Sequence, residues 1–167
     1  MSHIVTISTV ITNLAALKAA TLDLGAVWNE GKTTYNWFGR SVGDYPLPKG
    51  MTAAMLGKCE HAISLPGVNY EIGVVKLPDS TYTLAFDFYG SGLNGNPNDG
   101  KKLKEHFGDK LGKLTDYYQH HCLTRPSVLK GRKCWKITSN SDAEKVSKLT
   151  GQKITYAGQM LTVVGQP

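Results

Sequence analysis

The chain reads as an α+β domain, a largely antiparallel sheet with two amphipathic helices on one face, and three observations carry that reading. Residues 3–12 are β-branched and alternate, Val5, Ile7, Thr9 and Ile11 against Ile4, Thr6, Ser8 and Val10, as an inner strand would. Strand patterns near 58–65, 69–77 and 81–89 follow one another, separated by Pro66-Gly67 and Pro78-Asp79-Ser80, and read as a meander. Two stretches, 13–24 and 99–122, carry apolar stripes at helical spacing, and both stripes need a shared apolar surface.

Taken in order, Thr12 and Asn13 can cap the first helix, where Leu14, Leu17, Thr21 and Leu24 share a face and Gly25 stands at the stop position. From 26 to 57 glycines and prolines punctuate an aromatic stretch with Trp28, Tyr35, Trp37, Phe38 and Tyr45. A strand near 33–38 and then a long loop are expected there, and such loops often carry function. In the last meander strand Tyr82, Leu84, Phe86 and Phe88 alternate with Thr83, Ala85, Asp87 and Tyr89. A break rich in Gly and Asn precedes the second helix, whose stripe is Leu103, Phe107, Leu111, Leu114 and Tyr118. Arg125-Pro126 ends it. Beyond lie an expected strand at 133–138, a short helix opened by a Ser141/Glu144 capping box and closed at Gly151, and a terminal hairpin of 153–156 with 160–164.

At 167 residues, with 41% hydrophobic and 19% charged side chains, the chain can bury a core without staples. Its net charge of +6 is unevenly placed. Residues 1–100 carry six basic and eight acidic side chains, net −2, and residues 101–167 carry thirteen and five, net +8. Cys59, Cys122 and Cys134 are too few and too scattered for a disulfide framework. With no signal-like N-terminus and no apolar run of membrane-spanning length, a cytoplasmic place without membrane contact is expected, the host cytoplasm if the protein is phage-encoded.

Metal binding is the first chemistry to test, because His120, His121 and Cys122 are consecutive and Cys59 and His61 are one residue apart. Neither spacing suits a zinc site, since adjacent helical residues point about 100° apart; His120 is expected to face solvent and His121 to edge the apolar stripe. There is no Gly-x-Ser-x-Gly elbow, and the glycines at 90, 92 and 95 lack the Gly-Lys-Ser/Thr of a phosphate loop. No catalytic residue, metal or cofactor is therefore assigned. The balance leans away from an enzyme.

The basic residues from 101 onward weigh most. Lys102, His106, Lys113, Tyr117 and His120 fall on one flank of the second helix, away from Glu105, Asp109 and Asp116, and lead to Arg125, Lys130, Arg132, Lys133, Trp135 and Lys136. Cations interleaved with aromatics suit phosphates held by Lys and Arg while a base stacks. The candidate ligand residues are Lys102, Lys113, Tyr117, His120, Arg125, Arg132, Lys133 and Trp135, and an ordinary solvated helix face is the competing reading. The expected partner is an anionic small molecule or a nucleic acid. A homo-oligomer is also expected, because Trp28, Trp37, Phe38 and Tyr45 are more aromatics than a loop needs.

Several stretches resemble the hypothetical chloroplast reading frame thirty-five family, domain of unknown function twelve-fifty-seven, in its bacterial and phage branch. They are Met1-Ser2-His3-Ile4-Val5-Thr6-Ile7, Asp23-Leu24-Gly25, His61-Ala62-Ile63, Tyr70-Glu71-Ile72-Gly73-Val74-Val75, Tyr82 to Gly90, and Gly108-Asp109-Lys110-Leu111 with Leu114 and Tyr117-Tyr118. The resemblance covers roughly residues 1–122 and implies a small α+β domain of β-α-β-β-β-α order with no catalytic residues to transfer. Residues 123–167 then form a basic C-terminal extension packed on it. A phage source would fit a non-catalytic anti-defence protein that sequesters a nucleotide signal; an RNA- or DNA-binding accessory protein, a protein–protein adaptor and an unrecognised enzyme are the alternatives.

Overall fold

The computed structural model describes residues 4–37, 39, 47–88 and 98–166. Its body is an antiparallel sheet of five strands, β1 (Ile4–Thr6), β2 (Val27–Asn29), β3 (His61–Ser64), β4 (Glu71–Lys76) and β5 (Tyr82–Asp87), in the order β1-β5-β4-β3-β2. With helices α1 (Leu14–Asp23), α2 (Asp99–Phe107) and α3 (Gly112–Leu123) it makes the expected α+β fold.

Strand alternation sorts the sheet into two faces. Ile63, Ile72, Val74, Leu84 and Phe86 meet Leu17 and Ala20 of α1 and Leu103, Phe107, Leu111, Leu114 and Tyr118 from the second helical region. Both sequence-predicted stripes thus share one core. Ala62, Val75 and Ala85 point the other way and are covered by Tyr35 and Met51, with Trp37, Met55 and Leu56 packed around them. The aromatic stretch therefore roofs the second face. A side chain at Gly73 would overlap the Tyr35 ring, so the bare backbone there lets the roof lie flat.

α1 forms as its caps predict. The Asn13 side chain accepts from the Ala16 N–H at 3.0 Å, and Gly25 follows at φ 70°. Residues from the second helical region grip both its ends. The Thr12 N–H donates to the Tyr118 hydroxyl at 3.1 Å, while His106 Nε2 lies 2.5 Å from the Leu24 carbonyl and His121 Nε2 lies 2.6 Å from Asp23 Oδ2.

Four elements differ from expectation. The opening strand is short, 4–6, with a single later bridge from Ile11 to Tyr82. The strand near 33–38 is reduced to a bridge between Thr34 and Lys58; β2 is the strand that forms, making a fifth where the family order counts four. The helix expected over 99–122 is two helices, broken at Gly108 (φ 85°) and by left-handed Lys110 (φ 50°) and Leu111 (φ 57°). The four-residue interval from Phe107 to Leu111 looked continuous because both side chains are fully buried; core burial of Leu111 offsets a left-handed backbone that costs about 1–2 kcal/mol per residue. Phe38, Tyr45 and the glycines at 90, 92 and 95 lie outside the described residues.

The fourth difference is the extension, which contains α4 (Pro126–Leu129), β6 (Cys134–Ile137), α5 (Asn140–Thr150) and β7 (Leu161–Val164). β7 pairs antiparallel with β6, matching Trp135 with Val163, so there is no hairpin of 153–156 with 160–164. α5 starts earlier than the Ser141/Glu144 box implied. Ser139 caps it by accepting from the Asp142 N–H at 3.1 Å, and Asp142 in turn accepts from the N–H and hydroxyl of Thr138. Ile137, Ala143 and Val146 form a small separate core under Trp135, Ile154, Tyr156 and Val163. Among the described residues no helix is long and apolar enough to cross a membrane.

Candidate anion-binding pocket

The pairing of β6 with β7 builds the site. It brings Val164, Gly165 and Gln166 beside the turn at Lys130 to Lys133, and the end of α5 supplies Leu149, Thr150 and Gln152. Between them lies a cavity of about 470 Å³ also lined by Trp135. Its lining carries Lys130, Arg132 and Lys133 and, among the described residues, no acidic side chain.

Local geometry fixes each of these groups. Lys130 (φ 48°) and Gly131 (φ 80°) reverse the chain after α4. Arg132 then folds back so that its Nε donates to the Leu129 carbonyl at 3.1 Å and an Nη donates to the Val128 carbonyl at 3.0 Å. The Leu129 carbonyl also accepts from the Arg132 backbone N–H at 2.9 Å, so the side chain reinforces that turn and ties down the Val128 carbonyl with one Nη, the other Nη making neither bond. The Lys133 carbonyl accepts from the Gly165 N–H at 2.8 Å, locking the strand ends together. A Cβ at Gly165 would sit 3.3 Å from the Trp135 ring, so glycine lets the indole lie against the backbone.

Of the eight candidate ligand residues, Arg132, Lys133 and Trp135 meet in this pocket. Lys113 and Tyr117 line a different cleft of about 420 Å³, facing Thr138, Tyr156 and Met160, and share it with Asp109 and Asp116. Burial pushes the Asp116 carboxyl above its ordinary range. Tyr117 is covered by Lys136, whose Nζ stands 4.6 Å above the ring. Lys102 lies on α2, beyond the break at Gly108, so the flank drawn from Lys102 to His120 is divided. Arg125 donates from Nε to the Cys122 carbonyl at 3.0 Å, tying the end of α3.

His120 does not face solvent. Its ring is half-buried against the extension, with Nδ1 2.9 Å from the Thr162 hydroxyl, and burial, then the Lys136 charge, hold its pKa below the usual value. His121 turns toward Asp23 instead, and the two rings stand 5.6 Å apart at 76°. Adjacent helical positions part them as expected.

No family model, curated protein or solved structure matches this chain. The geometry of the pocket is therefore the basis for assigning a ligand. Sequence reasoning missed Leu149, Thr150, Gln152 and Gly165. Their signal was the apolar run 160–164, which was legible as a strand but was given the wrong partner; pairing it with β6 would have brought them to Trp135.

Proposed function

We propose that the protein binds an anionic nucleotide-type ligand in the pocket of its C-terminal extension, without chemistry on it. One observation carries the reading: three cations and an indole converge on one cavity whose lining, among the described residues, carries no acidic side chain. Lys130 and Lys133 would neutralise phosphate oxygens, with Arg132 adding its remaining Nη. Trp135 offers the face on which a base stacks, and Thr150 and Gln152 supply hydrogen-bonding groups toward its edge. A cavity of this size suits one small ligand. A single nucleotide is favoured over a polymer, because Lys102 and Arg125 do not line the pocket and would not extend it into a track. The resemblance of residues 1–122 to the chloroplast reading frame family belongs to the same proposal and supplies the body, not the pocket.

The test is calorimetric titration of the purified protein with ATP and with a short oligothymidylate. ATP should bind, and its affinity should fall steeply between roughly 50 and 200 mM salt. Lys133→Glu should weaken it about tenfold or more, and Trp135→Phe should weaken it less while keeping the fold. Affinity that grows with oligonucleotide length would move the assignment to nucleic acid. No ATP binding, or binding indifferent to Lys133→Glu, would overturn it.

A further inference from the structure

A third cavity is lined by residues of the body, with none from the extension among the described residues. It holds about 880 Å³ between the segment leaving β1 and the break joining α2 to α3. Its apolar wall is Ile7 and Phe88, backed by the fully buried Phe86, whose ring lies 4.5 Å from that of Phe88 and is tilted by 49°. Lys101 and Lys104 reach it from successive turns of α2, and Lys110 reaches it from the left-handed break. Hydroxyls of Thr6, Ser8, Thr9 and Thr115 complete the lining.

The lysines are loosely engaged. Lys101 stands 3.8 Å from Glu105 and Lys104 stands 3.8 Å from Asp109, both pairs being largely solvent-exposed, so an incoming anion would displace little. Asp109 is the one carboxylate on the lining, against three ammonium groups. The chemistry is divided by its source in the fold: the apolar and aromatic residues come from around the end of β5 and from the segment leaving β1, together with Thr6, Ser8 and Thr9, and the cations come from α2 and the break that follows it. It matches a ligand that is itself divided.

We propose that this cavity binds a small amphiphilic anion. A single phosphate, sulfonate or carboxylate head would lie against Lys101, Lys104 and Lys110, with an aromatic or short acyl body against Ile7 and Phe88. An arene and an acyl chain present the same two-part chemistry, so the probes must tell them apart.

The experiment titrates the full chain with 1-naphthyl phosphate and, separately, with decyl phosphate, following backbone amide chemical shifts. Shifts that saturate at one equivalent should concentrate at Thr6 to Thr9 and Gly112 to Thr115. Lys104→Glu combined with Lys110→Glu should weaken the better probe about tenfold or more. Thr9→Trp, which fills the cavity and keeps every charge, should abolish binding, whereas Lys133→Glu should leave it unchanged. Tighter binding of the naphthyl compound assigns an aromatic ligand, and tighter binding of the decyl compound assigns an acyl one. Failure of both probes, shifts centred elsewhere, or equal affinity in the lysine and Thr9 variants would overturn the proposal, whatever ATP does at the other pocket.

Discussion

On the helical face of its sheet the body has one continuous core, running from Ile11 and Leu17 through Ile72, Val74 and Phe86 to Phe107 and Tyr118, and Tyr35 and Met51 close a second cluster on the other face. The extension buries only Ile137, Ala143 and Val146 in its own cluster, among the described residues. A unit of about forty residues rarely folds alone on so little. What holds it is attachment to α3: Lys136 over the Tyr117 ring and the bond between His120 and Thr162. The contrast places the proposed ligand pocket on the less self-sufficient part of the molecule, the part whose local opening should cost least.

The largest expected effect tests the body. Phe107 is fully buried at the point where α2 stops, and Phe107→Ala should cost about 3–5 kcal/mol, read as a lowered urea midpoint. Because the core is continuous, protection of amides in β4, β5 and α1 should fall together. Loss confined to α2 would mean that the body is itself divided.

Ile137→Ala sharpens the comparison from the other side. Ile137 is fully buried in the extension, and its truncation should cost the extension about 2–5 kcal/mol. Hydrogen exchange should accelerate in β6, β7 and α5 while β4 and β5 keep their protection. Equal acceleration in both regions would show one cooperative unit and remove the distinction.

How much of this was legible follows the same division. The body announces itself through period: alternation at 82–88 and a cap at Asn13 decide local structure before any partner is known. It failed at Lys110 and Leu111, where a four-residue interval survives a break because burial, not helix continuity, sets the apolar spacing. β2 was missed because three residues next to Gly25 and Gly31 give too short an alternation to read. In the extension the elements were visible but their pairing was not, since β6 and β7 are joined across α5 and no local turn fixes register. The pocket depends on that pairing. Arg132, Lys133 and Trp135 could be grouped by their closeness in the sequence, whereas placing Gly165 and Gln152 beside them needed the third dimension.

The smallest expected effect concerns the junction itself. His120 sits where α3 meets the extension, and the groups bearing on it are Lys136 from β6, His121 beside it on α3, and Asp23 at the end of α1. Burial lowers its pKa most, the Lys136 and His121 charges lower it further, and Asp23 acts in the opposite direction. The folded pKa therefore lies below the unfolded value of 6.5, so in the acidic window beneath 6.5 the unfolded chain binds more protons than the folded one. Stability must then rise with pH through that window and level off above it, the reverse of a histidine stabilised by a paired acid. Hydrogen exchange of β7 amides should thus quicken as pH is lowered from neutrality toward 5, after correction for the intrinsic pH dependence of exchange. In His120→Asn, which keeps a side chain able to bond the Thr162 hydroxyl but cannot titrate, that extra acceleration should disappear while β4 and β5 behave as in the wild type. An unchanged pH response in the variant would place the proton-sensitive contact elsewhere than His120.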